Sequence, residues 1–497
     1  MSQPRPASPR IPPSDLRERA REIAAENGFV ADFPSDVRAE VAHLEQRNGG
    51  ALHTDDVRDL RTLLWSSIDN RESRDLDQVE CCERLADDSI RLRLGVADVA
   101  YLVAKDSAID KRAAANTTSL YTGVATFPML PEELSTDLTS LLEAAERLVV
   151  VVDFVVDVDG KVRDVNAYPA LITNRAKLTY EAVGQWLAGG PAPEEFAAIA
   201  GLEQQVRLQD EVAQRLRARR HECGALDLET IEARPVTSSG GEVIDLEVTR
   251  KNRARDLIED FMIAANVGVA GFLEARRIPS IRRIVRVPKR WSRLVELAKR
   301  YDDTLPDAPS SLALSEFLRR RRAADPNSFA DISLSVVKLL GGGEYTVERP
   351  WEPDGEEGHF GLAVDDYSHT TAPNRRFADL VMQRLVKALL AGVEIPYTTD
   401  ELDAIAERCT AMESAARKVE RTMRKVVAAT LLQRRVGEMF DAIITGVNQN
   451  GTYARLTHPP AEGRVMRGEH GLDVGDRVRV RLIDVDVEKG YIDFVKA

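Results

Sequence analysis

Residues 68–78 read IDNRESRDLDQ and place Asp69, Asp75 and Asp77 within nine positions of one another. Asp75 and Asp77 are two residues apart, so an extended segment would point both carboxylates the same way. Carboxylates that cluster in a buried place repel one another, and such a cluster usually holds a hard cation, of which Mg²⁺ fits best. Taken alone, the motif favours an acidic surface loop; the segments that follow it reverse that interpretation.

Five further segments follow this motif in a fixed order. They read VADV (96–99), SLY (119–121), PMLP (128–131) followed by LS (134–135), IEDFMIAAN (258–266) and YSHTTAPNRRFADL (367–380). In order and spacing, these segments and the acidic motif resemble the catalytic domain of the ribonuclease II/R family. The match covers roughly residues 58–436, and chance agreement of so many ordered motifs is remote.

The resemblance implies a processive hydrolase that shortens single-stranded RNA from its 3′ end and releases nucleoside 5′-monophosphates. Two Mg²⁺ ions, or Mn²⁺ in their place, would activate a water and stabilise the leaving 3′-oxygen of the phosphodiester. The metal ligands implied by the resemblance are Asp69, Asp75, Asp77 and Gln78. Asp77 is the one whose loss should abolish cleavage.

Two further positions would hold the RNA at the reacting bond. By resemblance, Tyr121 clamps the 3′-terminal nucleotide and sets the last product size; the alternative is an ordinary half-buried tyrosine. Arg375 matches the arginine that grips the scissile phosphate. We also expect Pro373 to open a helix whose amides form an anion site with Arg375 and Arg376. The alternative for Arg375 is an ion pair with Asp379, four residues on.

Three more positions match residues that the resemblance associates with RNA. Tyr180 and Glu259 correspond to positions that recognise the ribose, and Glu420 belongs to an E-R pair that the family shares. A plain place on a helix surface is the alternative for all three.

The chain departs from the family pattern in two ways. The fourth aspartate of the signature is replaced by Gln78, a neutral amide, which should lower metal affinity. The family also usually begins with two cold-shock β-barrels, whereas residues 1–66 are too short and too helical for them. The replacement at position 78 leaves open a second function, that of a catalytically weakened RNA-binding protein with the same fold.

We predict an α+β protein with several parts, as expected for 497 residues. The predicted parts are a disordered tail (1–13), a helical and perhaps helix-turn-helix-like domain (14–57), the catalytic domain (58–436) and an S1 domain (437–497). Three short helices are expected in the helical domain, from Ser14 to Gly28, from Pro34 to Gly49 and from Thr54.

The catalytic domain should contain both strands and helices. Alternating apolar residues predict a strand from Ile90 to Val96, and residues 148–165 predict a hairpin that turns at Asp159-Gly160. Long helices are predicted at 175–220, 253–276, 290–301, 374–391 and 399–435.

The last sixty residues predict about five short strands, the strand number of an OB-fold barrel, and closely resemble an RNA-binding S1 domain. Turn signals lie at 450–451, 475–476 and 489–490. Tyr453 and Phe440 are candidates for stacking on RNA bases, and burial in the barrel core is the alternative for each.

Charge and composition limit the partners and the location. A net charge of −13 argues against a protein that coats nucleic acid, although basic runs at 276–300 and 319–322 form solvated helix faces or an RNA channel. Four cysteines suggest neither a disulfide framework nor a metal site. The apolar run 148–158 is too short to cross a bilayer, and no secretory signal is evident. We therefore expect a cytoplasmic monomer that binds single-stranded RNA, no membrane and no nucleotide cofactor.

Overall fold

The computed structural model describes residues 13–48, 57–229, 232–237, 243–249, 251–326, 329–352, 358–448 and 451–497. The tail predicted for residues 1–13 lies outside the described residues except for Pro13, which begins the first helix. No helix in these ranges is long and apolar enough to cross a membrane.

Helices and a mixed sheet make up the first part of the chain. In chain order they are α1 (Pro13–Glu26), α2 (Ser35–Asn48), β1 (Arg58–Asp59), β2 (Trp65–Asp69), β3 (Gln78–Arg84), β4 (Ile90–Ala97), α3 (Ala108–Asn116), β5 (Leu120–Tyr121), β6 (Thr126–Phe127), β7 (Glu146–Val156) and β8 (Val162–Thr179).

The remaining elements are mainly helical until the C-terminal barrel. They are α4 (Tyr180–Leu187), α5 (Glu194–Ala198), α6 (Leu202–Glu222), β9 (Glu232–Thr237), β10 (Val243–Thr249), α7 (Arg253–Glu274), β11 (Ser280–Ile284), α8 (Trp291–Lys299), α9 (Ser311–Ala324), α10 (Phe329–Leu340), β12 (Glu344–Glu348), α11 (Phe377–Ala391), α12 (Thr399–Leu432), β13 (Met439–Asn448), β14 (Gly451–Leu456), β15 (Glu462–Arg467), β16 (Arg477–Asp486) and β17 (Tyr491–Lys496). The predicted α+β class is confirmed.

A six-stranded sheet in the order β1-β8-β2-β3-β4-β7 carries the acidic motif. The long β8 pairs antiparallel with β7 and then, from Asn174 to Thr179, parallel with β2. On β4, Ile90, Leu92 and Leu94 are fully buried, as the alternation predicts. Burial of each of these side chains stabilises the folded state by about 1.5–3 kcal/mol. The predicted turn at Asp159-Gly160 joins β7 to β8, with Gly160 at φ +78°.

Three hydrophobic cores hold these elements together. The first joins the sheet to α6, α7 and α11, the second joins α12 to the barrel, and the third joins α8, α9 and α10. The helices α9 and α10 lie outside the predicted helical stretches. The barrel β13-β14-β15-β17-β16 is closed, which confirms the five-stranded C-terminal unit.

The N-terminal prediction is partly wrong. Instead of a third helix from Thr54, Arg58–Asp59 pairs with β8 and Trp65 begins β2, because strand pairing with distant residues overrides local helical propensity; residues 49–56 lie outside the described ranges. The side chains of α1 pack in the second core, whereas those of α2 pack in the first. The two helices therefore do not share one core, as a helix-turn-helix would require.

Two helix boundaries also differ from their predictions. The helix predicted from residue 175 begins at Tyr180, because residues up to Thr179 continue β8 beside β2. The helix predicted to open at Pro373 begins at Phe377. Before this helix, the Ala372 amide donates a hydrogen bond to Asp379, and the Asn374 amide donates one to Asp77. These two bonds hold the chain in turns up to Phe377.

Candidate active site

The acidic motif leaves the end of β2 and returns into β3. Asp69 ends β2, and its Oδ1 accepts hydrogen bonds from the Asn70 amide at 2.6 Å and the Ser73 hydroxyl at 2.9 Å, which close the turn. Leu76, fully buried between Asp75 and Asp77, anchors the returning segment through its amide on Ser140. The motif is therefore anchored to two interior strands of the sheet, and its end at residues 76–78 is buried although the middle of the loop is exposed.

Asp77 is the most enclosed of the three aspartates, with an exposed fraction of 2%. Its Oδ1 accepts from the Asn374 amide at 3.0 Å, and its Oδ2 accepts from the Arg375 Nε at 3.0 Å. Burial raises the pKa of Asp77 to about 6, and the positive charge of Arg375 offsets part of this rise. Of the anion site expected at residues 373–376, only the Asn374 amide and the Arg375 side chain come together, and they bind a protein carboxylate; the helix begins later, and Arg376 points elsewhere.

Tyr121 stands beside Asp75. The hydroxyl of Tyr121 donates to Asp75 Oδ2 at 3.2 Å, while 43% of the residue remains exposed. Burial raises the pKa of this hydroxyl, and the charges of Asp75 and Asp77 raise it further. The hydroxyl therefore stays a hydrogen-bond donor, and nearly half of the residue is open to solvent.

The two adjacent arginines have different partners. Arg375 is 46% exposed at its side chain and pairs with Asp77. Arg376 pairs with the fully buried Asp379 at 2.7 Å. The ion pair with Asp379 considered for Arg375 is thus made by Arg376, because Arg375 points to the acidic motif. This structural pairing also does not support the predicted RNA-binding role of Arg376.

The two ribose candidates, Tyr180 and Glu259, and the residue of the E-R pair, Glu420, occupy different places. Tyr180 begins α4 directly after β8, with the Arg255 guanidinium 4.4 Å from its ring centre. Burial raises the pKa of the Tyr180 hydroxyl. Tyr180 follows Thr179, which pairs with Asp69 in the strand register, so it lies near the acidic motif. Glu259 on α7 pairs with Lys251 at 2.6 Å. Glu420 is half-buried on α12.

A fourth carboxylate, Glu80, lies in β3 and is not among the predicted site residues. It is fully buried, and neither of its carboxylate oxygens has a hydrogen-bond partner. Burial raises the pKa of Glu80 well above its ordinary value, and the nearby charge of Asp69 raises it further. The signal in the sequence is a charged residue two positions after Gln78, and hence on the same side of an otherwise buried strand.

The donor set fits a divalent cation, although it is incomplete on its own. Carboxylate and amide oxygens are the ligands that Mg²⁺ and Mn²⁺ accept. Within the described part of the chain, no three His, Cys, Asp or Glu side chains gather closely enough to hold a metal ion. Waters and phosphate oxygens would complete the coordination, as is usual for Mg²⁺.

The barrel separates its two stacking candidates. Phe440 is 5% exposed, packs in the barrel core and carries the Arg435 guanidinium 4.5 Å from its ring centre. The core alternative therefore holds for Phe440, whose ring has no free face. Tyr453 is half-buried on β14 and pairs with Arg464 of β15 in the strand register, so it is less enclosed than Phe440.

Other sequence features have structural roles. Within the basic run 276–300, Arg282 and Arg283 lie on the buried β11 and pair with Glu274 and Glu413, so part of this run is neither a solvated helix face nor free to bind RNA. All four cysteines are free thiols, as predicted, and Cys223 is the exposed one.

Comparison with known proteins identifies two parts of the chain. A model of the RNB domain matches residues 57–392, and a model of the RNase II-type exonuclease C-terminal S1 domain matches residues 438–497. Ribonuclease R 1 of Lactococcus lactis is 28% identical over 506 residues, which cover 95% of this chain and 60% of that protein. The chain thus spans less than two thirds of the length of this curated relative.

Solved structures share the fold. Mycoplasma genitalium RNase R in complex with ribose-methylated single-stranded RNA superposes with a TM-score of 0.86 at 23% identity, over 97% of this chain and 78% of that one. The same protein in complex with double-stranded RNA gives a TM-score of 0.84 at 24% identity, over 97% and 83% of the two chains.

Proposed function

Because this chain belongs to the RNB family, we propose that it is a metal-dependent exoribonuclease that shortens single-stranded RNA from the 3′ end. The products are nucleoside 5′-monophosphates, released processively. The observation that carries the proposal is the contact between the buried Asp77 carboxylate and the half-exposed Arg375, with Tyr121 and Asp75 alongside.

Asp69, Asp75, Asp77 and Gln78 would hold two Mg²⁺ ions, or Mn²⁺ in their place. The chemistry that these ions supply when bound is activation of water and stabilisation of the leaving 3′-oxygen. Exoribonucleases of the family depend on divalent metal, which supports the proposal.

Arg375 would then bind the phosphate of the scissile bond. Its side chain is half-exposed and positioned by the Asp77 carboxylate, so a phosphate oxygen can approach its free guanidinium nitrogens. Tyr121 would stack on the 3′-terminal nucleotide while its hydroxyl holds Asp75 in place. The rigid Asn374 amide fixes Asp77 from the other side, so the reacting phosphate meets a preorganised site.

The rest of the chain would bring RNA to this site. We assign residues 58–436 to catalysis and 437–497 to RNA binding, with Tyr453 as the stacking residue of the barrel. Single strands are the substrate, and a duplex with a 3′ overhang would also be entered; this extension is supported by the shared fold with Mycoplasma genitalium RNase R, which has been solved in complex with double-stranded RNA. A hairpin with a 3′ tail tests this, since an enzyme that stalls many nucleotides before the duplex would exclude it.

A catalytically weakened RNA-binding protein is the second candidate, favoured by Gln78 in place of a fourth aspartate. One experiment separates the two. The full chain is incubated with end-labelled single-stranded RNA in Mg²⁺ or in excess chelator, and the products are resolved by length. Release of mononucleotides only with Mg²⁺ supports the enzyme. Intact RNA that remains bound supports the alternative, and internal cuts or activity in chelator contradict the proposal.

A further inference from the structure

Arg255 of α7 contacts both the acidic motif and Tyr180. Its Nη2 donates to Asn70 Oδ1 at 2.8 Å, and its guanidinium lies 4.4 Å from the centre of the Tyr180 ring. The same nitrogen is 3.4 Å from Oε1 of Glu181, an exposed carboxylate in the first turn of α4. The Arg255 side chain is only 20% exposed. One largely buried guanidinium therefore touches two separate parts of the candidate site.

Asn70 connects this guanidinium to Asp69. The Asn70 amide donates to Asp69 Oδ1 at 2.6 Å, so a contact that fixes Asn70 also fixes the neighbouring carboxylate. The middle of the loop has separate support, because the Lys177 ammonium donates to two main-chain oxygens there. Loss of Arg255 would thus release the Asp69 end of the motif and leave the rest of the loop in place.

The position of Arg255 is set by the way α7 begins. Asn252 caps this helix: its Oδ1 accepts from the Arg255 amide at 3.0 Å, and its Nδ2 donates to the Tyr180 main-chain oxygen at 2.8 Å. The two helices approach so closely that a Cβ on Gly184 would lie 2.5 Å from Asn252 Nδ2. The start of α7 is therefore locked to the start of α4, and the guanidinium is preorganised beside Tyr180.

The contact with Arg255 also determines how Tyr180 can be used. A cation over an aromatic ring is attracted to the ring face, which holds the ring in one orientation. That face cannot stack on a base, so Tyr180 offers its hydroxyl edge instead. A phenolic hydroxyl can form a hydrogen bond with the 2′-hydroxyl of a ribose, and it has no such partner on a deoxyribose.

We propose that Arg255 is a positioning residue that holds Tyr180 and the Asp69 end of the acidic motif at a fixed separation, and so couples recognition of the ribose to cleavage. The inference rests on the proposed function, because it assumes that RNA is cleaved at the acidic motif. In this role Arg255 acts through Asn70 and Tyr180 and does not itself bind the substrate.

Discrimination between ribose and deoxyribose tests the coupling. We would measure kcat and KM for single-stranded RNA and for the same RNA with one 2′-deoxyribose at each of its last three positions in turn. Arg253→Met is the matched control for Arg255→Met, because Arg253 lies two residues earlier on the same helix and pairs with Asp210.

The two variants should differ in rate and in selectivity. Arg253→Met should match wild type in kcat and in its preference for ribose. Arg255→Met should lower kcat on RNA about ten-fold with little change in KM, because a displaced group costs rate more than binding. It should also lose most of the preference for ribose that wild type shows.

Hydrogen exchange tests the loop without RNA or metal. Deuterium uptake of residues 69–76 is followed by mass spectrometry in the full chain. Arg255→Met and Asn70→Ala should both speed this uptake, and Arg253→Met should not. The double variant of Arg255 and Asn70 should exchange no faster than either single variant, because both changes break the same bond.

Three results would overturn the assignment. If Arg255→Met raises KM and leaves kcat unchanged, the guanidinium binds RNA directly. If its ribose preference and loop exchange equal those of wild type, Arg255 is a surface partner of Glu181 and nothing more. If Arg253→Met shows the same losses, both variants merely weaken α7. A wild-type protein that releases no nucleotide would contradict the proposed function, and loop exchange would still show whether Arg255 positions the acidic motif.

Discussion

Arg375 and Arg376 are neighbours in sequence and face opposite sides of the same loop. Arg375 is half-exposed and meets Asp77 of the acidic motif, while Arg376 turns inward to the fully buried Asp379. The inward side also contains His369, whose Nδ1 forms a hydrogen bond with the Tyr345 hydroxyl at 2.8 Å. One side of the loop thus faces the acidic motif, where we propose that a substrate phosphate binds, and the other side packs into the protein. The difference teaches that an arginine pair in a motif need not act as a pair.

The largest expected effect is on the rate of cleavage, and it comes from changing Asp77, the residue that Arg375 contacts on the outward side of the loop. Asp77→Asn removes a metal-binding charge and leaves the remaining RNA contacts in place. We expect cleavage to fall by several kcal/mol in transition-state stabilisation, roughly a thousand-fold or more, with RNA affinity retained. Single-turnover rates and filter binding measure the two quantities. A variant that cleaves at nearly the wild-type rate would show that Asp77 is not part of the reacting site.

Arg376→Gln tests the inward side. It leaves Asp379 buried without its cation, and we expect a loss of roughly 3 kcal/mol in the free energy of unfolding, at the lower end for a broken buried pair because Arg376 is partly accessible. Denaturant titration measures this loss. Cleavage per folded molecule should change little. Wild-type stability would refute the structural role of this arginine.

Arg375→Gln is the matched variant on the outward side. We expect a smaller loss of stability than for Arg376→Gln, because Arg375 is more exposed than Arg376 and the buried Asp77 keeps its hydrogen bond from the Asn374 amide. Cleavage should fall about 10²–10³-fold, as when one charge-stabilising donor is lost. If Arg375→Gln destabilises the protein more than Arg376→Gln does, the two sides of the loop have been assigned the wrong way round.

The inward side also predicts a dependence of stability on pH. Burial lowers the pKa of His359 to about 4 and that of His369 well below its ordinary value. The unfolded chain takes up these protons near pH 6.5 and the folded chain does not. The stability is therefore complete above that pH and is lost as the pH falls toward 4. Melting temperatures from pH 7.5 to 5 should show a smaller slope for His359→Gln than for the exposed control His470→Gln, and equal slopes would disprove this.

The smallest expected effect on rate is that of Tyr121→Ala. The variant loses an open ring face and a hydrogen bond to Asp75, but no charge. Cleavage should continue, and the final undegraded oligonucleotide should become longer by one or more nucleotides. Sequencing gels of exhaustive digests measure this length. An unchanged end product would place Tyr121 away from the 3′ terminus.

Local patterns predicted much of the fold. Alternation on β4, the turn at Asp159-Gly160 and the five-stranded barrel were all evident from short-range sequence. The contact of Asp77 with Arg375 joins residues 298 positions apart, so periodicity could not predict it and only the resemblance suggested it.

The incorrect predictions of secondary structure have one physical origin, which is hydrogen bonding between residues that are far apart in the sequence. Arg58–Asp59 becomes a strand because β8 offers hydrogen bonds, and α11 starts late because carboxylates hold the preceding amides. The burial of Glu80 could not be predicted from the sequence, because a charged residue in a strand normally faces solvent. Its burial follows from the packing of α6 over β3.

RNA that carries one label at its 5′ end and another at its 3′ end tests the central claim most directly. With wild type and Mg²⁺, the 3′ label should appear at once as a nucleoside 5′-monophosphate, while the 5′ label stays on a steadily shortening strand. Asp77→Asn should release neither label. Loss of the 5′ label first, or labelled internal fragments, would contradict the account.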